Sequence, residues 1–340
     1  MVSDCLLSEN IAKYHPTVLL LRVQKRRIRY QQKFAGSLHL FSINILLLTM
    51  SFPTTSIIGL GALGGTLARA FFTNNIPVKS VFNRNENALF DWAENNGIIT
   101  AAQQPRHKDQ LGEITFITVP DDAIVDVVEQ LQQLSDDFSH SCFVHCSGNE
   151  SANILKPLQK KGACVASMHP LQTFNQDSGV EAFSEIYFSL QGDTELLTVL
   201  MKIAKKLGAN TIKINSRQKA HLHAAAVIAS NYLMTLIDDA VQITSMANID
   251  ERQVKKMLQP LVTKSIKNIT GETFEQVLSG PIARADTGTI KKHLKLLRED
   301  AELKKSYIQL GLRTVDKAQQ VKRLSPSEAN RLRMLLNEDH

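Results

Sequence analysis

Cysteine is scarce in this chain, and what is missing around it narrows the function. Cys5, Cys142, Cys146 and Cys164 include no C-x-x-C pair and no Cys/His spacing suited to zinc. That excludes a disulfide framework or a structural zinc module as the reading. Reduced, inert thiols in a cytoplasmic protein are expected instead. Cys142 and Cys146 fall on one expected strand, about 13 Å apart at strand rise, too far to bridge. Net positive charge is equally thin in the body of the chain. Residues 1–49 hold seven Lys/Arg against two Asp/Glu, +5 of the formal +6, which leaves +1 for the remainder. A nucleic-acid partner is therefore not expected. Repeats, heptad arrays and low-complexity segments are absent as well. The apolar run Leu38–Leu48 is shorter than the ~20 residues of a membrane-spanning helix, and it contains His39 and Asn44. Residues 1–49 read as a dispensable extension ahead of Met50, with a membrane tether through residues 22–48 as the alternative.

What is present is a glycine-rich turn. An apolar run ending Ser56-Ile57-Ile58 feeds Gly59-Leu60-Gly61-Ala62-Leu63-Gly64, and a helix pattern follows through Phe72. Strand, G-x-G-x-x-G and helix in that order are the setting in which this motif binds a dinucleotide. Gly59 is expected to make the tight turn, Gly61 to admit a pyrophosphate, and Gly64 to let helix and strand pack closely. Helix N-terminal N–H groups, from Ala62, Leu63 and Gly64, then hold the anion. The second strand, near 78–82, ends in Asn83-Arg84-Asn85, without the acidic residue that would bind a ribose 2′-hydroxyl. Arg84 offers a guanidinium suited to a 2′-phosphate. NADP is expected in preference to NAD.

From 54 to 214 the chain alternates strands and helices, the pattern of a doubly wound parallel sheet. Strands are expected near 55–59, 78–82, 114–119, 142–146, 163–168, 186–190 and 211–214. Helices are expected near 64–74, 86–95, 122–133, 151–160 and 194–207. Polar residues gather at three strand ends: Val119-Pro120-Asp121, His145-Cys146-Ser147-Gly148 and Met168-His169-Pro170. Ligands of such sheets lie at the carboxyl ends of the strands, so Val119, Pro120 and Ser147 join the expected cofactor contacts. Strand signals then stop. A helical run over 216–248 contains no Gly or Pro, and further helices are expected near 250–269, 272–278, 287–315 and 326–337. The last opens on Ser325-Pro326-Ser327-Glu328, a capping box. The organisation expected is an α/β Rossmann domain over 50–214 followed by an all-α domain over 215–340.

Hydride chemistry at a carbon bearing OH or NH₂ needs a placed acid or base. His169, just past a strand end, is the first candidate, with Lys219 and His223 one helical turn apart behind it. Asn231 follows on the same broad side of that helix. Ser147 could contact substrate or nicotinamide through its hydroxyl, and Arg284 could clamp a carboxylate or pair with Asp286. His145 reads as a packed strand residue.

Together, Gly59–Gly64, Val144–Gly148, His169–Phe174, His223–Tyr232 and Gly280–Asp286 resemble a family described as a Rossmann-like domain followed by domain of unknown function 2520. That family is similar to the 6-phosphogluconate dehydrogenase-like superfamily, with pyrroline-5-carboxylate reductases and prephenate dehydrogenases among its members. The resemblance implies the fold, a nicotinamide cofactor, a small-molecule substrate and a homodimer. His169-Pro170 is similar to the His-Pro segment of prephenate dehydrogenases, although Leu171-Gln172-Thr173-Phe174 departs from the turn that follows there. Lys219, His223 and Asn231 do not reproduce the Lys-x-x-His-Asn spacing of 6-phosphogluconate dehydrogenase. Three functional readings follow: an NADP-dependent oxidoreductase acting on a small, anionic metabolite, an NADP-binding sensor without turnover, and a prephenate-type dehydrogenase.

Overall fold

The computed structural model describes residues 52–85, Leu89 and 100–338. The expected extension over 1–49, and all but Leu89 of the expected helix over 86–95, lie outside the described residues. The chain divides into two compact units between Ala225 and Ala226.

The first unit is built on one sheet of eight strands: β1 (Thr55–Ile58), β2 (Val78–Phe82), β3 (Thr100–Ala102), β4 (Ile114–Ile117), β5 (Cys142–His145), β6 (Cys164–Pro170), β7 (Tyr187–Gly192) and β8 (Asn210–Lys213). Their order across the sheet is β3-β2-β1-β4-β5-β6-β7-β8. Helices α1 (Ala62–Thr73), α2 (Ile124–Gln132), α3 (Lys156–Gln159) and α4 (Thr194–Lys206) make the connections. Strands β1 and β4 are buried along their whole length, as apolar runs in a sheet covered on both faces should be. One core cluster gathers Ile57, Leu67, Phe71, Phe116, Leu200 and Ile203. A second holds Phe82, Ile117, Val128, Phe138, Phe143 and Leu158.

Two features depart from the expected parallel sheet. The first is β3, three residues long and pairing only with β2; the segment Thr100-Ala101-Ala102 is too short to leave an alternation that could be read. The second is β7, which pairs antiparallel with β6, while β8 runs parallel to β7. The physical reason lies in the connection. A return to a parallel strand needs a crossover of a dozen or more residues, usually helical, and the link from Pro170 to Tyr187 contains only a single 3₁₀ turn, Val180–Phe183.

That reversal moves His169. The expectation put it past the end of its strand. It lies instead within β6, opposite Ser189, because β7 extends the ladder through Met168, His169 and Pro170. On the other side, pairing with β5 stops at His145↔Ser167. The end of β6 is thus held on one edge and open on the other, where Cys146-Ser147-Gly148 leaves the sheet.

Helix α5 (Ser216–Val227) brings the chain to the second unit. The expected unbroken helix over 216–248 continues through a π turn, Ile228–Tyr232, into α6 (Leu233–Ser245). A 3.6-residue count therefore does not carry from His223 to Ser230 and Asn231. The second unit continues with α7 (Glu251–Gly271), α8 (Phe274–Val277), α9 (Gly280–Ala283), α10 (Thr287–Leu296), α11 (Ala301–Gln320) and α12 (Pro326–Asn337). Its core centres on Ile290, Leu294, Val315, Leu332 and Leu336. The single helix expected over 287–315 is two. Asp300, in extended backbone, caps α11 by accepting from the N–H groups of Glu302 and Leu303. The capping box at Ser325 and Glu328 forms as expected.

Candidate functional site

The glycine turn stands at the carboxyl end of β1. Gly59 adopts φ +98°, a left-handed conformation that side chains resist, and its N–H donates to the Phe82 carbonyl at 2.8 Å. Gly64 packs on it so tightly that a Cβ would stand 1.9 Å from the Gly59 oxygen and 2.4 Å from Thr118 Oγ1. The Thr118 hydroxyl fixes the turn by donating to the Gly59 carbonyl at 2.7 Å. At Gly61 the opposite holds: nothing lies within 4 Å of where a Cβ would be. Gly61 is the N-cap of α1, no side chain caps the helix, and the first turn has no acidic residue. Its leading N–H groups, from Ala62, Leu63 and Gly64, lack intrahelical partners and are suited to an anion.

Beside the turn, a cavity of about 270 Å³ is lined by Gly59, Gly61, Asn83, Arg84, Val119 and Pro120, with Gln103, Gln104 and Gln130 around them. Arg84 is exposed, while the Asn83 side chain accepts from the Leu60 N–H at 3.2 Å. The expected cofactor contacts, Ser147 apart, therefore share one cavity or its adjoining helix end. The glutamines and Thr118 were not among them, since a polar residue in a loop or at a strand end gives no period to read.

Farther along the same sheet edge, three separated segments of the first unit converge. Lys219, on α5, is only 2% exposed. Its ammonium donates to the Ser147 carbonyl at 2.7 Å and to Ser167 Oγ at 2.8 Å. Burial pushes Lys219 down to about 8, against a weaker pull from Cys146, Asp121 and Glu150. His169 Nδ1 lies 3.1 Å from the Cys146 carbonyl. A carbonyl only accepts, so Nδ1 donates and Nε2 is left as an acceptor. Burial pushes His169 down to about 4, opposed by that hydrogen bond and assisted by the charge of Lys219. One turn beyond Lys219, the His223 ring stands edge-on to the His169 ring, centroids 6.0 Å apart, with its Nδ1 buried and unpartnered.

Gly148 lies under both imidazoles. A Cβ there would meet His223 Nδ1 at 2.6 Å and His169 Nε2 at 2.9 Å, so only glycine admits the two rings. His145 packs, as expected, fully buried. Burial first, then Lys219, push it down to about 3, against a weak pull from the Ser151 backbone. The Ser147 hydroxyl is engaged as an acceptor from the N–H groups of Asn149 and Glu150, which leaves its own proton to donate. Sequence reasoning missed Ser167 and Gly148; the alternation of β6 puts Ser167 on the same face as His169, which was the available signal.

Asn231 and Arg284 belong to the second unit. Asn231 is exposed within the π turn, and Arg284 is exposed at the end of α9. Asp286 caps α10, accepting from the Thr289 N–H at 3.0 Å, and the Arg284 charge adds to the hydrogen bonds that lower its carboxyl.

Residues 51–170 match the Rossmann-like domain model, and residues 186–314 match the model of domain of unknown function 2520 (DUF2520). The chain pairs a Rossmann-like domain with a DUF2520 domain. The DUF2520 match begins at the reversed strand β7 and takes in Lys219 and His223, so the cluster draws on both matches. Three solved structures are similar in fold. One is a candidate NADP oxidoreductase from Bacteroides fragilis, with TM-score 0.62 and 21% identity over 80% of this chain and 98% of its own. The second is protein TM1727 from Thermotoga maritima, with TM-score 0.58 and 26% identity over 82% and 99%. The third is an imine reductase from Pseudomonas sp., with TM-score 0.60 and 15% identity over 83% and 99%. Comparison with curated proteins gives no match.

Proposed function

We propose that this chain is an NADP-dependent oxidoreductase acting on a small, anionic metabolite at a carbon bearing oxygen or nitrogen. The observation that carries the reading is the sharing of one edge. The uncapped glycine turn and the cluster of half-buried His169 and His223 with buried Lys219 stand at the carboxyl ends of β1, β5 and β6, which run in one direction. Ligands of such sheets lie there. The naming of similar folds as an NADP oxidoreductase and an imine reductase supports it.

The residues fit the cofactor. Gly61 leaves space for a pyrophosphate on the α1 N–H groups, and Arg84 and Asn83 border the cavity where a 2′-phosphorylated ribose would be held. NADP, when bound, supplies or accepts the hydride. The chain's own task is the proton. His169, neutral near pH 7, accepts it at Nε2 when a hydroxyl or amine is oxidised. Lys219, at about 8, remains an ammonium at pH 7 and stabilises negative charge developing on the substrate heteroatom. His223 Nδ1 orients the substrate.

We further propose that the chain works as a homodimer in the cytoplasm. Ile228, Tyr232 and Met234, 63%, 58% and 70% exposed, form apolar surface that a second copy would cover. The turnover test is a panel of keto acids, imines and hydroxy acids, read by the absorbance of reduced nicotinamide. A substrate that turns over, and fails to with His169→Asn, supports the proposal. NADPH binding with no turnover across the panel would favour a sensor.

A further inference from the structure

The sheet brings together two cysteines that sequence separation hides. Cys142 opens β5 and Cys164 opens β6, and the two are direct partners in the parallel register. Neighbouring strands lie about 4.8 Å apart, within the Cα separation of about 4.4–6.8 Å that a disulfide needs. Both thiols are free and half-buried, and Cys164 is among the groups that raise the Cys142 thiol. Both pack against the same core cluster, so their side chains leave the sheet on one face. Cys146 is different: it is buried and, just past the end of β5 and four residues from Cys142, out of its reach.

We propose that Cys142 and Cys164 form a reversible disulfide when the chain meets a hydroperoxide. One thiolate attacks the peroxide, the O–O bond breaks, and an alcohol leaves with a sulfenic acid formed on the cysteine. The second thiol attacks that sulfur, the S–S bond forms, and water leaves; the two thiols are oxidised and the peroxide is reduced. A small dithiol reverses the step by exchange. Burial, with Cys164 adding to it, pushes Cys142 up to about 12. The thiolate is the nucleophile, so oxidation should accelerate as pH rises. The bond would staple the first residues of β5 and β6, the strands whose other ends carry Ser147 and His169.

Trypsin separates the partners, because Cys142 lies on the peptide 109–160 and Cys164 on 162–202. The full chain is treated with cumene hydroperoxide under native conditions, blocked with iodoacetamide, digested without reductant and weighed. The expected result is a linked pair of these two peptides, two hydrogen masses lighter than their sum, that dithiothreitol separates. Cys142→Ser and Cys164→Ser should each abolish it, while Cys146→Ser should leave it. If both peptides are recovered unlinked, with Cys142 and Cys164 alkylated or individually over-oxidised, the proposal is overturned. A link that survives Cys142→Ser overturns it equally. Cys146 shares the peptide 109–160, so fragmentation of the wild-type linked pair, placing the bond at Cys142 as expected or at Cys146 against the proposal, decides the matter even if a variant folds poorly.

Discussion

The glycine turn and the imidazole–ammonium cluster occupy one sheet edge but are built in opposite ways. The turn is local: six consecutive residues, Gly59 to Gly64, carry the conformation, the close packing and the anion-binding N–H groups. The cluster is assembled from residues 145–148, 167–169 and 219–223, held by single hydrogen bonds across as many as 72 residues of chain. The first is specified by backbone geometry and excludes a side chain at Gly59 and Gly64. The second is specified by burial, which sets the protonation of its groups. Cofactor capture and proton handling should therefore be separable by mutation.

His169→Asn is the largest separating change. It should lower turnover by roughly 10²–10⁴, the range for a lost acid/base group, with NADPH affinity unchanged in a fluorescence titration. Equal losses in both would merge the two regions. Gly64→Val works the other way. Its Cβ would collide with Gly59 and Thr118, at a stability cost on the order of 3 kcal/mol, read in urea unfolding, and NADPH binding should fail with it. A Gly64→Val chain that binds normally would show that the close packing is dispensable.

Of the two regions, only the cluster should respond to pH. His145 and His169, about 3 and about 4 in the folded chain against an ordinary 6.5, resist protons that the unfolded chain accepts. Their stability contribution is present above pH 6.5 and is lost as pH falls toward 4 and then 3. Each histidine contributes a slope of at most about 1.4 kcal/mol per pH unit. His169→Asn should flatten the acid side of a stability–pH curve; an unchanged slope would mean His169 is solvated. Lys219, also depressed, acts at the alkaline end: stability should rise between about pH 8 and 10.5, and Lys219→Met should remove that rise.

The same contrast explains what was legible in the sequence. The turn could be read because its chemistry sits in one window, and the strands around it because β1, β4 and β5 are apolar runs. His169, Lys219 and His223 could be named but not joined, since no local signal reports that α5 packs Lys219 under Ser147. The reversal of β7 was hidden because strand direction depends on what fills the preceding connection. The placement of His169 inside β6 follows from that reversal. Ser147-Gly148 reads only as the turn that ends a strand; the need for glycine at 148 appears once two imidazoles crowd its Cα.

Cofactor choice tests the account most directly, because the reading of the first unit as an NADP site rests on Arg84 at the rim of the cavity. Titrating wild type and Arg84→Ala with NADPH and NADH gives four dissociation constants. The wild type should prefer NADPH by about 1.5–3 kcal/mol, the worth of a charge-assisted contact, or roughly 10- to 150-fold. Arg84→Ala should erase most of that preference while leaving NADH affinity in place. Equal affinities for the two cofactors in the wild type, or a preference that survives the loss of Arg84, would contradict it.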